Sequence, residues 1–166
     1  MLFYLWALFL SPGIIMHELS HAMCCVLSGT KIFRMKLFGF QNPPGFVEHA
    51  EPQKFMHSFI ISFGPLIFNS LCTMLIFAKV PRPAFTLQSL GLYWLASACG
   101  LNAVPSMGDA KTLISTANKK IRRNPFIIVA YPFIGILFLL NILKRWHVHV
   151  LYVGILWWLS TMYLKV

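Results

Sequence analysis

His17-Glu18-Leu19-Ser20-His21 holds two histidines four positions apart. On a helix that spacing puts both imidazoles on one face, within reach of a single divalent ion. Glu18 is rotated by about 100° around the axis, near enough to hold a water beside the ion without competing as a ligand. Two imidazole ligands and a carboxylate base are the parts that metal-assisted hydrolysis requires, with one Zn²⁺ per chain as the expected cofactor. The non-catalytic reading of the same residues is a hydrogen-bonded polar patch between helices. Against it stands cost: an ionisable group inside an apolar helix is unfavourable by ~2–3 kcal/mol on insertion scales.

A catalytic zinc keeps three protein ligands and an open position. The chain has four acidic residues, Glu18, Glu48, Glu51 and Asp109. Glu48 and Glu51 fall in or just after a turn-rich segment where solvated charge is ordinary. Asp109 follows Pro105 and Gly108, residues that loosen a helix and free a carboxylate to turn inward. Asp109 is therefore the expected third ligand, with His49 and His57 as competitors. A helix-terminal aspartate facing water is the alternative for Asp109.

The elements that must position these residues are apolar. Hydrophobic residues make up 58% of the chain and charged ones 11%, against about a quarter charged in soluble domains. Five apolar segments, roughly 2–27, 55–78, 84–108, 125–143 and 147–164, are each long enough to cross or nearly cross a ~30 Å hydrocarbon layer as helices. Residues 28–54 differ: 31–38 alternates polar and apolar, Asn42-Pro43-Pro44-Gly45 supplies turn chemistry, and 46–49 reads as a returning strand. The expected fold is an all-α polytopic membrane protein of about five transmembrane helices, with a β-hairpin at the membrane surface between the first two. Residues 1–166 form one domain: a core over 1–113 and two additional helices over 125–166. Loops are expected at 79–83 and 111–124. Cys24, Cys25, Cys72 and Cys99 lie in apolar segments without a C-x-x-C pair and read as small buried hydrophobes.

The net charge of +10 is a matter of topology rather than of nucleic acid. Lys31, Arg34, Lys36, Lys54, Lys111, Lys119, Lys120, Arg122, Arg123 and Lys165 fall on one side of the expected spans, and Lys79, Arg82, Lys144 and Arg145 on the other. The excess of positive charge places the first side in the cytoplasm and the N-terminus outside. His21 then lies ~9 Å inside the cytoplasmic end of the first span, and Asp109 leaves the membrane on that side.

These residues resemble the site-2 protease family of intramembrane metallopeptidases over roughly Pro12 to Leu113. His17-Glu18-Leu19-Ser20-His21-Ala22 matches the family's zinc motif. Ser62-Phe63-Gly64-Pro65-Leu66 followed by Asn69 is similar to its glycine-proline-x-x-asparagine signature, with the asparagine one residue late. Asn102, Pro105 and Asp109 resemble its third motif, with the asparagine-to-aspartate spacing one residue short and Ala110 in place of a glycine. The resemblance implies a cytoplasm-facing site with a β-loop at its mouth, and the compact form without a PDZ domain is expected because no stretch is long enough to hold one. It also implies a role for Asn102 in holding the substrate backbone or the oxyanion, for which a helix–helix hydrogen bond is an equal explanation, and a weaker one for Asn69.

The function expected is hydrolysis of peptide bonds in membrane-spanning protein substrates near the cytoplasmic face, with Glu18 as base and then as proton donor to the departing amine. The hairpin could bind an unwound substrate segment as an extra strand, or simply shield the site from lipid. Rival readings are a membrane-embedded metal-binding or transport protein and an inactive helix-binding scaffold. Ionisable residues gathered near one face, rather than spread through the depth, favour hydrolysis over transport.

Overall fold

The structure, a computed structural model, describes residues 2–81 and 86–164. Arg82, the start of the 84–108 segment and Lys165 lie outside the described residues, as does the side chain of Arg145. The chain is mostly helical with one two-stranded antiparallel sheet. Two helical runs are long and apolar enough to cross a membrane, Phe55–Ala78 and Pro125–Leu143, while Val148–Tyr163 is apolar but shorter.

Helices α1 (Leu2–Phe9) and α2 (Ser11–Leu27) fill the first expected segment, interrupted at Leu10. Pro12 sits in the first turn of α2, where its missing N–H removes no intrahelical bond. Strands β1 (Ile32–Lys36) and β2 (Phe46–His49) form the expected hairpin. Arg34 stands opposite Glu48, with a guanidinium–carboxylate distance of 2.8 Å. Helix α3 (Phe55–Ala78) is the central element, packing against α2, α4, α5 and α7.

The third expected segment is divided. Helix α4 (Leu87–Leu101) stops early, residues 102–106 are non-helical, and α5 (Met107–Lys120) occupies most of what reads as a loop at 111–124. The physical reason is a strong helix start in the middle of the segment. Ser106 Oγ accepts from the Asp109 amide (3.1 Å), and Asp109 Oδ2 accepts from the Ser106 amide (2.7 Å), a reciprocal capping box. Together α4 and α5 run antiparallel to α3 along its length. Thr73 reaches Ala96, Asn69 reaches Cys99, Ser62 reaches Asp109, and Lys120 reaches Pro52 and Gln53 just before α3 begins.

The last quarter also departs from expectation. A 3₁₀ turn (Pro125–Ala130) leads into α6 (Tyr131–Leu143), and α7 (Val148–Tyr163) follows a 3₁₀ turn at Lys144–Trp146 and His147 in the left-handed region (φ 58°). Contacts with α3 advance in one direction: Phe133 meets Phe59 edge to face, Tyr152 bonds Ser70, and Ser160 bonds the Met74 carbonyl. So α6 and α7 are successive parts of one kinked path parallel to α3, not two antiparallel crossings. Lys144, which the charge distribution puts on the far side from His17, His21 and Asp109, lies beside them instead. Its ammonium donates to the Val104 carbonyl (2.8 Å), and Asn141 donates to that of Pro105 (3.0 Å). Backbone freed by the α4–α5 break is thereby paired, as it must be wherever water is scarce.

Packing centres on three clusters: Cys24, Cys25 and Ile61 between α2 and α3; Phe77, Val80, Ala96 and Val153 at one end; Leu113, Ala117, Ile134 and Leu137 at the other. Cys24, Cys25 and Cys99 are buried and unbridged, and Cys72 is half-buried and unbridged. At Gly13 the backbones of α2 and α4 touch: a Cβ there would stand 1.8 Å from the Ala98 carbonyl oxygen, so no side chain fits.

Candidate metal centre

Helix α2 presents His17 and His21 one turn apart, and α3 and the α4–α5 linker fix how their rings turn. His17 Nδ1 lies 2.6 Å from the Asn102 carbonyl oxygen, and His21 Nδ1 lies 2.9 Å from that of Ile61. A carbonyl only accepts, so each Nδ1 carries the proton and each Nε2 keeps a lone pair. The two Nε2 atoms face each other at 3.2 Å, and Asp109 Oδ1 stands 3.5 Å from His21 Nε2. Ligand atoms of all three residues lie within 4.8 Å of one another.

Three acceptors turned toward one point repel unless something positive lies between them. Metal bonds of 2.0–2.1 Å at tetrahedral angles separate neighbouring donor atoms by about 3.3 Å. The observed 3.2 and 3.5 Å lie near that edge, while the third, between His17 and Asp109, is longer but within 4.8 Å, so a small divalent cation held by all three would draw those two closer together. His17, His21 and Asp109 are thus brought together as their spacing and chemistry suggest. His49 and His57 are not part of the cluster. His49 Nδ1 donates to the Ala50 carbonyl within the hairpin, and His57 lines a surface hollow beside Ser28–Lys31.

Asp109 divides its oxygens between two tasks. Oδ2 caps α5 through Ser106, whose hydroxyl also donates to it at 2.6 Å, and Oδ1 faces His21. The Ser-x-x-Asp capping pattern was present in the sequence as a sign that a helix starts here, rather than ends. Ile61, which holds His21, is six residues beyond Phe55, hence ~9 Å along the axis.

Glu18 lines a cavity of about 180 Å³ with His17, Asn102, Ser106, Lys144 and the hairpin turn Pro43–Gly45. The turn closes directly on it: a Cβ at Gly45 would lie 2.7 Å from Glu18 Cγ and 2.9 Å from the Leu37 carbonyl oxygen. The carboxylate is therefore next to the histidine pair but outside the three-ligand set, with room for a small molecule beside it.

Two asparagines play parts that their residue types alone do not disclose. Asn69 is fully buried and donates to the carbonyls of Gly13 (3.2 Å), Cys99 (3.3 Å) and Asn102 (3.3 Å), tying α2, α3 and α4 at one point. The Asn102 side-chain amide donates to Ala98 within its own helix (2.9 Å), while its backbone carbonyl orients His17. Lys144, with its ammonium on the linker, is a further site residue that sequence reasoning assigned elsewhere. Comparison with protein-family models, with characterised proteins and with solved structures found no match.

Proposed function

We propose that this chain is a multi-pass membrane zinc peptidase that hydrolyses peptide bonds of membrane-spanning proteins, as the resemblance to site-2 proteases implies. The observation that carries the reading is the convergence of two carbonyl-oriented imidazoles and one carboxylate within 4.8 Å of one another, with Glu18 alongside over a cavity.

Zinc held by His17, His21 and Asp109 would supply a Lewis acid that polarises a peptide carbonyl and lowers the pKa of water toward neutrality. Glu18, beside the ligand set but not part of it, takes the proton of the attacking water and passes it to the departing amine. The hairpin turn over Glu18 limits access of lipid and bulk water. Asn102 acts chiefly through its carbonyl, by holding the His17 ring in register.

Membrane residence is supported by what the helices leave uncovered. Only 17% of the Pro125–Leu143 window is buried, whereas the core helix of a soluble protein would be mostly covered. Leu71, Leu75, Leu139, Ile142, Leu151 and Trp158 face outward, an apolar surface that lipid satisfies. Lys31, Arg34, Lys36, Lys54, Lys119, Lys120, Arg122 and Arg123 gather toward the hairpin end of the bundle, which favours that end in the cytoplasm.

The test is metal content together with cleavage of a single-span reporter by the purified full chain. One zinc per chain and cleavage abolished in Glu18→Gln with metal retained is the expected result. Metal without cleavage in the unmodified chain would favour the scaffold reading, and no metal would remove the peptidase reading altogether.

A further inference from the structure

A groove of about 600 Å³ opens at the hairpin end of the bundle, away from the metal residues. Its walls are Phe55, Met56 and Phe59 from the start of α3, and Phe126, Val129 and Phe133 from the other helical run. Phe126 is 85% exposed, Val129 63% and Met56 59%. The two runs that form it, Phe55–Ala78 and Pro125–Leu143, are the two long and apolar enough to cross a membrane, and both begin here.

The rim is basic. Lys54, Lys120 and Arg123 border the groove. Lys120 is committed to the carbonyls of Pro52 and Gln53, whereas the side chains of Lys54 and Arg123 have no hydrogen bond or ion pair among the described residues. The chain cannot neutralise them itself. Of its four carboxylates, Glu48 is paired with Arg34, Glu51 with Lys119, Asp109 is bound to Ser106 and His21, and Glu18 lies under the hairpin turn. Two free cations stand over an apolar slot at the level where membrane helices begin, which is the charge pattern of a lipid headgroup above its acyl chain.

We propose that this groove binds one anionic phospholipid, its phosphate held by Lys54 and Arg123 and an acyl chain laid between α3 and the Pro125–Ala130 turn. The inference rests on the membrane part of the reading above and is independent of catalysis.

The test uses the full chain reconstituted in nanodiscs of phosphatidylcholine with a minor fraction of phosphatidylglycerol of the same acyl chains, with co-purifying lipid measured by native mass spectrometry. One phosphatidylglycerol is expected to be retained in preference to phosphatidylcholine. A charge near an anionic headgroup changes affinity about fivefold, so Lys54→Gln with Arg123→Gln should weaken the preference roughly twentyfold, while Lys79→Gln at the other end should leave it unchanged. Equal retention of the two lipids by the unmodified chain overturns the proposal, even if the double variant fails to fold. So does a preference that the double variant keeps, or a groove filled by a polypeptide segment. A chain that does not insert into bilayers at all would instead refute the membrane reading.

Discussion

Asn69 and His17 bind the same backbone oxygen. The Asn102 carbonyl accepts from His17 Nδ1 at 2.6 Å and from Asn69 Nδ2 at 3.3 Å, so a buried amide on α3 fixes the acceptor that sets the His17 ring on α2. Replacing Asn69 by Leu removes a donor shared among three carbonyls, of which that of Asn102 keeps His17 and that of Cys99 keeps the Asn102 amide, at about 1 kcal/mol per hydrogen bond lost. A marked fall in thermal stability is expected, and a 10–100-fold loss of metal affinity in whatever fraction folds, the usual cost of losing an outer-shell partner. Unchanged affinity by competition with a chromophoric chelator would refute the link.

The two tasks of Asp109 can be separated. Ser106→Ala removes the reciprocal cap, costing about 1 kcal/mol of helix stability, and should leave zinc stoichiometry intact. Asp109→Ala removes cap and ligand together and should lose both stability and metal. Full metal content in Asp109→Ala, measured by elemental analysis, would show that another group closes the coordination sphere.

Gly45→Ala places a methyl against Glu18 Cγ and the Leu37 carbonyl. Either the carboxylate or the hairpin turn must shift. A 1 Å displacement of a catalytic group can cost about 100-fold in rate, so reporter cleavage should fall by at least tenfold with metal content unchanged. Cleavage at the original rate would show that the turn and Glu18 are not coupled.

Metal removal should destabilise the bundle. A ligand bound only by the folded state at 100 times its Kd contributes about 2.7 kcal/mol. Chelation should therefore lower Tm by several degrees, and zinc should restore it more fully than magnesium, since the donor set is nitrogen-rich. His21→Ala should abolish the response.

The convergence of His17, His21 and Asp109 was legible because helical spacing and a shortage of carboxylates left few choices: two histidines at i and i+4, and one acid near a helix break. The hairpin was legible from alternation and from Pro43-Pro44-Gly45. The path of the third segment was not. Apolar content joined 84–108 into one span, although Ser106 and Asp109 mark a new start, because hydropathy averages over a capping signal four residues long. Likewise Lys144-Arg145 read as a loop on the far side. A basic pair after an apolar run usually ends a crossing, and only the contacts to Val104 and Pro105 reveal a lysine used to pair backbone inside the bundle.

Those contacts give the last forty residues a purpose that their lack of ligands conceals. Asn141 and Lys144 grip the linker from which Asp109 departs, so the position of this carboxylate is set from outside the segment that supplies it. A chain cut after Asn124 would keep both histidines, the glutamate and the aspartate, yet would surrender the fastening that aims one at the others. The C-terminal path is a buttress, and the aim of Asp109 at the histidine pair is its cargo.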